Sequence, residues 1–277
     1  NLVSGTILAG ITGAVIFGGL NRIAGTARVL VPLMTGLYLI TVMFALMLNI
    51  SAIPGALSLI VSDAFTGEAA AGGSVLAVIL YGVQRGAYSN EAGMGTESLV
   101  HGAAKTNEPI REGLVAMLGP IIDTLVVCTA TALMILIAGT WQSDASQGVT
   151  LTANAFSTLL GPAGTVVVFV CVLCFATTTM FTYSFYGSQC ASFVFGSKHV
   201  NTYRMVFVVS IVLIAIISIE SAVSLIDGSF ALMAIPTMVS AIWLAPKVLH
   251  AAKIYFAKLD ADDDTPDPQT DISEQPA

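Results

Sequence analysis

Residues 81–98 read Tyr81-Gly82-Val83-Gln84-Arg85-Gly86-Ala87-Tyr88-Ser89-Asn90-Glu91-Ala92-Gly93-Met94-Gly95-Thr96-Glu97-Ser98. The apolar run that leads into this stretch, Ser74 to Val83, is far too short to cross a bilayer, which takes about 20 residues of helix. Arg85 and Glu91 follow, charges that cost about 2.5–3.5 kcal/mol each at the centre of a membrane helix. Four glycines, 82, 86, 93 and 95, weaken helical continuity and let backbone approach a solute closely. The pattern predicts a helix that breaks at membrane depth. Its freed N–H and C=O groups must then face a protein-lined cavity, where carbonyls attract cations and amides attract a carboxylate. The plain alternative is a cytoplasmic loop after a short re-entrant segment. Arg85 and Glu91 need a partner or water, and each could serve the other.

The composition around this stretch excludes an ordinary water-soluble domain. The chain has 277 residues, 56% hydrophobic and 10% charged, with a mean hydropathy of +0.87, where soluble domains carry about 25% charge. A formal charge of −7 leaves no basic face for a nucleic acid. Cys128, Cys171, Cys174 and Cys190 lie in or beside apolar runs and read as packing residues.

Seven segments, roughly 4–20, 29–50, 73–100, 113–139, 162–190, 203–219 and 222–246, are candidate spans. Nine of the ten cations fall after spans one, three, five and seven: Arg22, Arg28, Lys105, Arg111, Lys198, Arg204, Lys247, Lys253 and Lys258. The intervening loops hold Asp63, Glu68, Asp144 and Glu220 and no Lys or Arg. The positive-inside rule then places the C-terminus in the cytoplasm. An odd number of spans starting outside, with Asn1 first and no signal peptide in view, predicts further helices upstream. Ile53–Phe65 and 150–160 suit short helices at the outer interface. Residues 1–258 form the expected membrane domain. The tail over 259–277, with seven acids from Asp260 on, three prolines and no aromatic residue, is expected to be a disordered cytoplasmic extension.

Two further spans carry candidate chemistry. Asp123, ten residues into span four, reads as an isolated intramembrane carboxylate: an ion ligand, a proton carrier or a structural partner for Arg85. Span five presents Thr177-Thr178-Thr179-Met180-Phe181-Thr182-Tyr183-Ser184-Phe185-Tyr186, whose hydroxyls offer the oxygen ligands that hard cations prefer. Membrane Thr and Ser also commonly bond their own i−4 carbonyl, so packing competes with coordination. Tyr183 and Tyr186 could wall a pocket or anchor the helix end. His101, His199 and His250 are too scattered for a zinc protease motif, and neither a P-loop nor a Gly-x-Ser-x-Gly elbow is present, which leaves an enzyme without a nucleophile.

The run Gly82 to Thr96 resembles the signature of the sodium:alanine (alanine or glycine:cation) symporter family. Agreement continues at Ala104-Lys105-Thr106, at Ile122 to Thr129, more loosely from Phe175 to Gly187, and upstream at Ile16-Phe17-Gly18-Gly19-Leu20. The resemblance implies an all-α polytopic membrane protein with the leucine-transporter inverted-repeat fold. The seven spans would then be helices four to ten, with the third of them the discontinuous helix six. It implies a substrate pocket formed by Gly82, Gln84, Gly86, Tyr88 and Asn90 together with Tyr183, which stands where relatives tend to have Trp. It implies sodium ligation by Thr178 and Thr179.

The function expected on that basis is sodium-coupled symport of alanine or glycine into the cell, in the cell membrane, by alternating access. Its partners would be a small neutral amino acid, Na+ and the lipid bilayer, with no cofactor beyond the coupling ion. A proton-coupled permease of the same architecture, with Asp123 or Glu91 as carrier, is the main alternative; a seven-helix sensor is the lesser one, and the oligomeric state is left open.

Overall fold

The computed structural model describes residues 2–65, 75–142 and 148–263. It is nearly all helix, with no strand among the described residues. Helices α1 (Leu2–Ile16), α2 (Gly19–Leu48) and α3 (Ile53–Phe65) come first. They are followed by α4 (Val75–Asn90) and the short α5 (Thr96–His101). Then come α6 (Pro109–Ala138), α7 (Val149–Phe195), α8 (Val200–Ile214) and α9 (Ile219–Asp263). Four helical stretches are long and apolar enough to cross a membrane: Asn21–Leu48, Pro109–Ala138, Val149–Phe195 and Ser221–Ala261. In the last of these, 0% of the most apolar window is buried by protein, so Leu232, Ile242 and Trp243 stand exposed. In water such a surface would drive association; against lipid it is an ordinary helix face. The chain is an integral membrane protein.

Several elements differ from the sequence expectation for local reasons. The loop expected at 21–28 is helical: Asn21 to Arg28 lies within α2, whose first proline is Pro32. Arg22 Nη1 donates to the Ala14 carbonyl at 2.9 Å, which satisfies a free acceptor near the end of α1. The segment 150–160 is helical as expected and joins the following span within α7. The joint is Gly161, at φ 67°, followed by Pro162. Glycine accepts the left-handed turn and proline begins the next helix with φ preset and no N–H to lose. α9 continues to Asp263, into the segment expected to be a disordered tail; residues 264–277 lie outside the described residues. Glu68 and Asp144 also lie outside them.

α6 changes character after Pro120, which cannot donate a backbone bond. Residues Ile121–Cys128 form wide i→i+5 turns before α-helical bonding resumes at Thr129. α7 is the central post. Tyr38, Val42 and Leu46 of α2, Ala56 of α3 and Leu133 and Met134 of α6 pack with its Phe156, Val168 and Cys171. A second cluster joins Ile16 and Ile23 to Phe181, Phe185 and Tyr186. Tyr38 ties the first cluster together: its ring lies 5.7 Å from Phe156 and its hydroxyl 2.7 Å from Thr131 Oγ1.

Candidate functional site

The break falls later in the chain than the glycine pattern suggests. α4 stays helical through Gly82, Gln84 and Gly86 and ends at Asn90. Glu91 (φ 57°), Gly93 (78°) and Gly95 (89°) then take left-handed backbone before α5 begins. The turn is locally bonded: Asn90 Oδ1 accepts from Ala92 N at 3.0 Å, and Met94 N donates to the Glu91 carbonyl at 3.1 Å. It is also pressed against α9. A Cβ on Gly95 would meet Thr237 Oγ1 at 2.5 Å, and one on Gly93 would run into Met238 Cε. Among the described residues, by contrast, nothing lies within 4 Å of where a Cβ on Gly82 or Gly86 would stand.

The side chains of α4 and of Glu91 just beyond it reach α9, α6 and α7. Gln84 Nε2 donates to the Tyr88 hydroxyl at 2.6 Å within the helix. The Tyr88 ring packs edge-on against Phe230 of α9 at 4.9 Å, and Tyr183 of α7 lies 6.4 Å from the same Phe230. Ser89 donates to Asp123 Oδ2 at 2.6 Å, and Asn90 Nδ2 donates to Thr124 Oγ1 at 2.9 Å, both in the wide-turn segment of α6. Tyr186 donates to Glu91 Oε2 at 3.2 Å. The charge pairing differs from expectation. Arg85 faces neither Glu91 nor Asp123; its Nη2 lies 3.9 Å from Asp227 Oδ2 on α9, with the guanidinium 4.8 Å from the Tyr81 ring centre.

The hydroxyls of span five divide by face. Thr177 donates to the Leu173 carbonyl at 2.9 Å. Thr178 is buried, donates to the Cys174 carbonyl at 2.8 Å and lies 3.9 Å from Met34 Sδ of α2. Donation inward leaves each hydroxyl's lone pairs free to accept. Thr179 points elsewhere. It lines a cavity of about 500 Å³ with Met180, Tyr183, Phe207, Leu225, Ile226, Ser229 and Phe230. A second cavity, about 300 Å³, is lined by Ser89, Asn90, Glu91, Glu97, Asp123 and Tyr186 among others. Tyr88, Tyr183 and Thr179 therefore gather round Phe230, while Asn90, Glu91 and Asp123 gather at the second cavity. Gly82 and Gly86 touch neither group, and Thr178 faces away from Thr179.

Two residues of this arrangement escape the sequence reading. Asp227 makes Asp123 no longer the isolated intramembrane carboxylate, and Phe230 is the ring on which both tyrosines converge. The available signal is the lone acid in the apolar run Ser224-Leu225-Ile226-Asp227-Gly228, the same signal that marks Asp123.

Fold and site together define a polytopic helical membrane protein with an interrupted helix. The chain belongs to the sodium:alanine symporter family, a family of transporters, whose sequence model matches residues 1–269. It is 35% identical over 257 residues to the sodium/alanine symporter AgcS of Methanococcus maripaludis, covering 92% of this chain and 56% of that protein. It is 33% identical over 255 residues to the probable sodium/glutamine symporter GlnT of Bacillus subtilis, covering 92% and 53%. It is 32% identical over 215 residues to a sodium/proton-dependent alanine carrier protein of Bacillus sp. strain PS3, covering 73% and 48%. The chain spans about half the length of the curated relatives it matches.

Proposed function

We propose that this chain supplies helices four to ten of a leucine-transporter-like symporter that carries a small neutral amino acid, alanine or glycine, into the cell with sodium. In this reading α1, α2, the α4–α5 pair, α6, the part of α7 after Gly161, α8 and α9 are the seven spans. The C-terminus lies in the cytoplasm of a cell-membrane protein. The observation that carries the reading is the interruption at Glu91–Gly95, where helical bonding stops at a cavity walled by Ser89, Asn90, Glu91, Asp123 and Tyr186.

The physical logic follows from that interruption. The last turn of α4 leaves carbonyls without amide partners, at the negative end of a 16-residue helix. An ammonium group or a metal cation is attracted there, and Gly86 and Gly82, one and two turns back along α4, leave that part of the helix without bulk. Gln84, Tyr88 and Asn90 supply polar contacts, and Tyr183 limits the size of the side chain admitted. Thr178 and Thr179 offer oxygen ligands to sodium. A zwitterion adds no net charge, so the sodium ion couples transport to the membrane potential, at about 2.3 kcal/mol per 100 mV for each charge carried. Sodium bound in one arrangement favours the state that accepts the amino acid, and its release on the other side reverses the preference.

The second reading is proton coupling, favoured by the hydroxyl-supported carboxylates Glu91 and Asp123 on one cavity. The named sodium/proton-dependent relative gives the same direction. Uptake of labelled alanine into vesicles separates the two. Sodium at fixed pH is expected to drive accumulation and a pH step without sodium is not; full uptake without sodium would overturn the proposal. Competition by glutamine against labelled alanine tests the substrate class.

A further inference from the structure

Helices α4 and α9 run in the same direction and meet through their side chains. Arg85 meets Asp227, Tyr88 meets Phe230 further along, and the break at Gly93 and Gly95 meets Met238 and Thr237 beyond that. Charged contact, aromatic contact and break form three successive rungs. The first rung is only half made. Its N–O distance of 3.9 Å is too long for a hydrogen bond, and the other oxygen of the carboxylate, Oδ1, is buried with no hydrogen-bond partner among the described residues. A guanidinium fork fits both oxygens of a carboxylate at about 2.7–2.9 Å, so a relative shift of about 1 Å between the helices would complete the pair. Arg85 is held ready on its other side by the Tyr81 and Tyr88 rings, at 4.8 and 5.8 Å.

We infer that Arg85 and Asp227 form a clasp that closes α4 onto α9 beside the aromatic rung. The clasp is tight in one arrangement of the transport cycle and loose in the other, and it acts as a gating pair without binding the amino acid. Packed interfaces switch between discrete arrangements rather than deforming continuously, and a pair that is complete in only one of them biases that switch. The inference rests on the transport reading above for its role in the cycle. The pairing itself stands on the geometry.

The test is a double-mutant cycle in the intact transporter, read in two ways. In thermal unfolding without substrate, Arg85→Gln and Asp227→Asn are each expected to lower the midpoint, and the double variant to fall no further than the lower single. Additive losses, or no loss in either, would overturn the pairing whether or not the protein carries alanine. In proteoliposomes, each single variant is expected to lose at least tenfold in maximal sodium-driven alanine uptake, with the half-saturating alanine concentration unchanged or lower. The exchanged pair Arg85→Asp/Asp227→Arg is expected to recover several-fold over either single. A raised half-saturating concentration at intact maximal rate would make Asp227 a substrate ligand and overturn the gating role. Absence of alanine uptake by the unaltered transporter would instead fall on the transport reading, leaving the unfolding cycle to decide the pairing.

Discussion

The Tyr186 hydroxyl donates across 3.2 Å to Glu91 Oε2, fastening α7 to the one described non-glycine residue with left-handed backbone. A residue with a Cβ held at φ 57° costs free energy that the surroundings must offset. The tyrosine supplies part of that offset by donating to the half-buried carboxylate, which Tyr183 also reaches. Tyr186→Phe keeps the ring against Ile16 and Phe185 and removes only the donor. The expected result is a loss of about 1 kcal/mol, the usual net worth of one hydrogen bond at a half-buried acceptor, seen as a lower unfolding midpoint in detergent. Glu91→Gln, whose amide oxygen still accepts, should lose less; equal losses would refute this account.

Gly95 faces two separate obstacles to substitution, its φ of 89° and the Thr237 side chain 2.5 Å from where a Cβ would lie. Gly95→Ala is expected to destabilise by about 1–3 kcal/mol. Adding Thr237→Ala should return the steric part and leave the conformational part. Complete restoration in the double variant would show that the left-handed backbone is not a constraint there.

Thr179 is exposed on the cavity wall, whereas Thr178 is buried against α2. Thr179→Ala should therefore raise the sodium concentration for half-maximal uptake by about fivefold, as expected for loss of about 1 kcal/mol in a polar contact, without changing thermal stability. Thr178→Ala should lower both sodium affinity and stability. A sodium titration of uptake together with unfolding curves checks both, and an unchanged sodium requirement in Thr179→Ala would remove it from the ligand set.

Tyr183 and Met180 set the width of the larger cavity. Met180→Ala removes several heavy atoms from its wall without touching the tyrosine hydroxyl. Bulkier neutral amino acids, glutamine among them, are expected to compete at least severalfold better against labelled alanine in that variant. An unchanged competition profile would place the substrate elsewhere.

The existence of a break was readable from residues 81–98, but its position was not. One glycine costs a helix roughly 1 kcal/mol, which is less than the cost of leaving backbone groups unbonded in hydrocarbon. Gly82 and Gly86 accordingly stay helical, and the interruption moves to Glu91–Gly95, where α9 presses on the turn and Asn90 bonds it. The separation of segment 150–160 from the span beginning at 162 was readable, and Gly161-Pro162 is the local signal that makes it. The partner of Arg85 was not, since Asp227 lies on another helix and only packing decides which of several carboxylates it meets. The clustering of Tyr88 and Tyr183 depends in the same way on Phe230, an ordinary apolar residue in the sequence.

The wide turns of α6 put two different jobs on one rod. Each i→i+5 closure takes in one residue more than an α-turn, so everything after Cys128 is swung by about 100° relative to an uninterrupted helix. Asp123 and Thr124 thereby look toward α4 while Thr131, Leu133 and Met134 look toward Tyr38 and the core. The count of residues between Pro120 and Thr129 is itself information. Removing a single codon there would close the wide turn into an ordinary α-turn and leave the core-facing half of α6 on its face, whereas straightening the segment at its present length would swing that half away from Tyr38, a frameshift written in rotation instead of in reading frame.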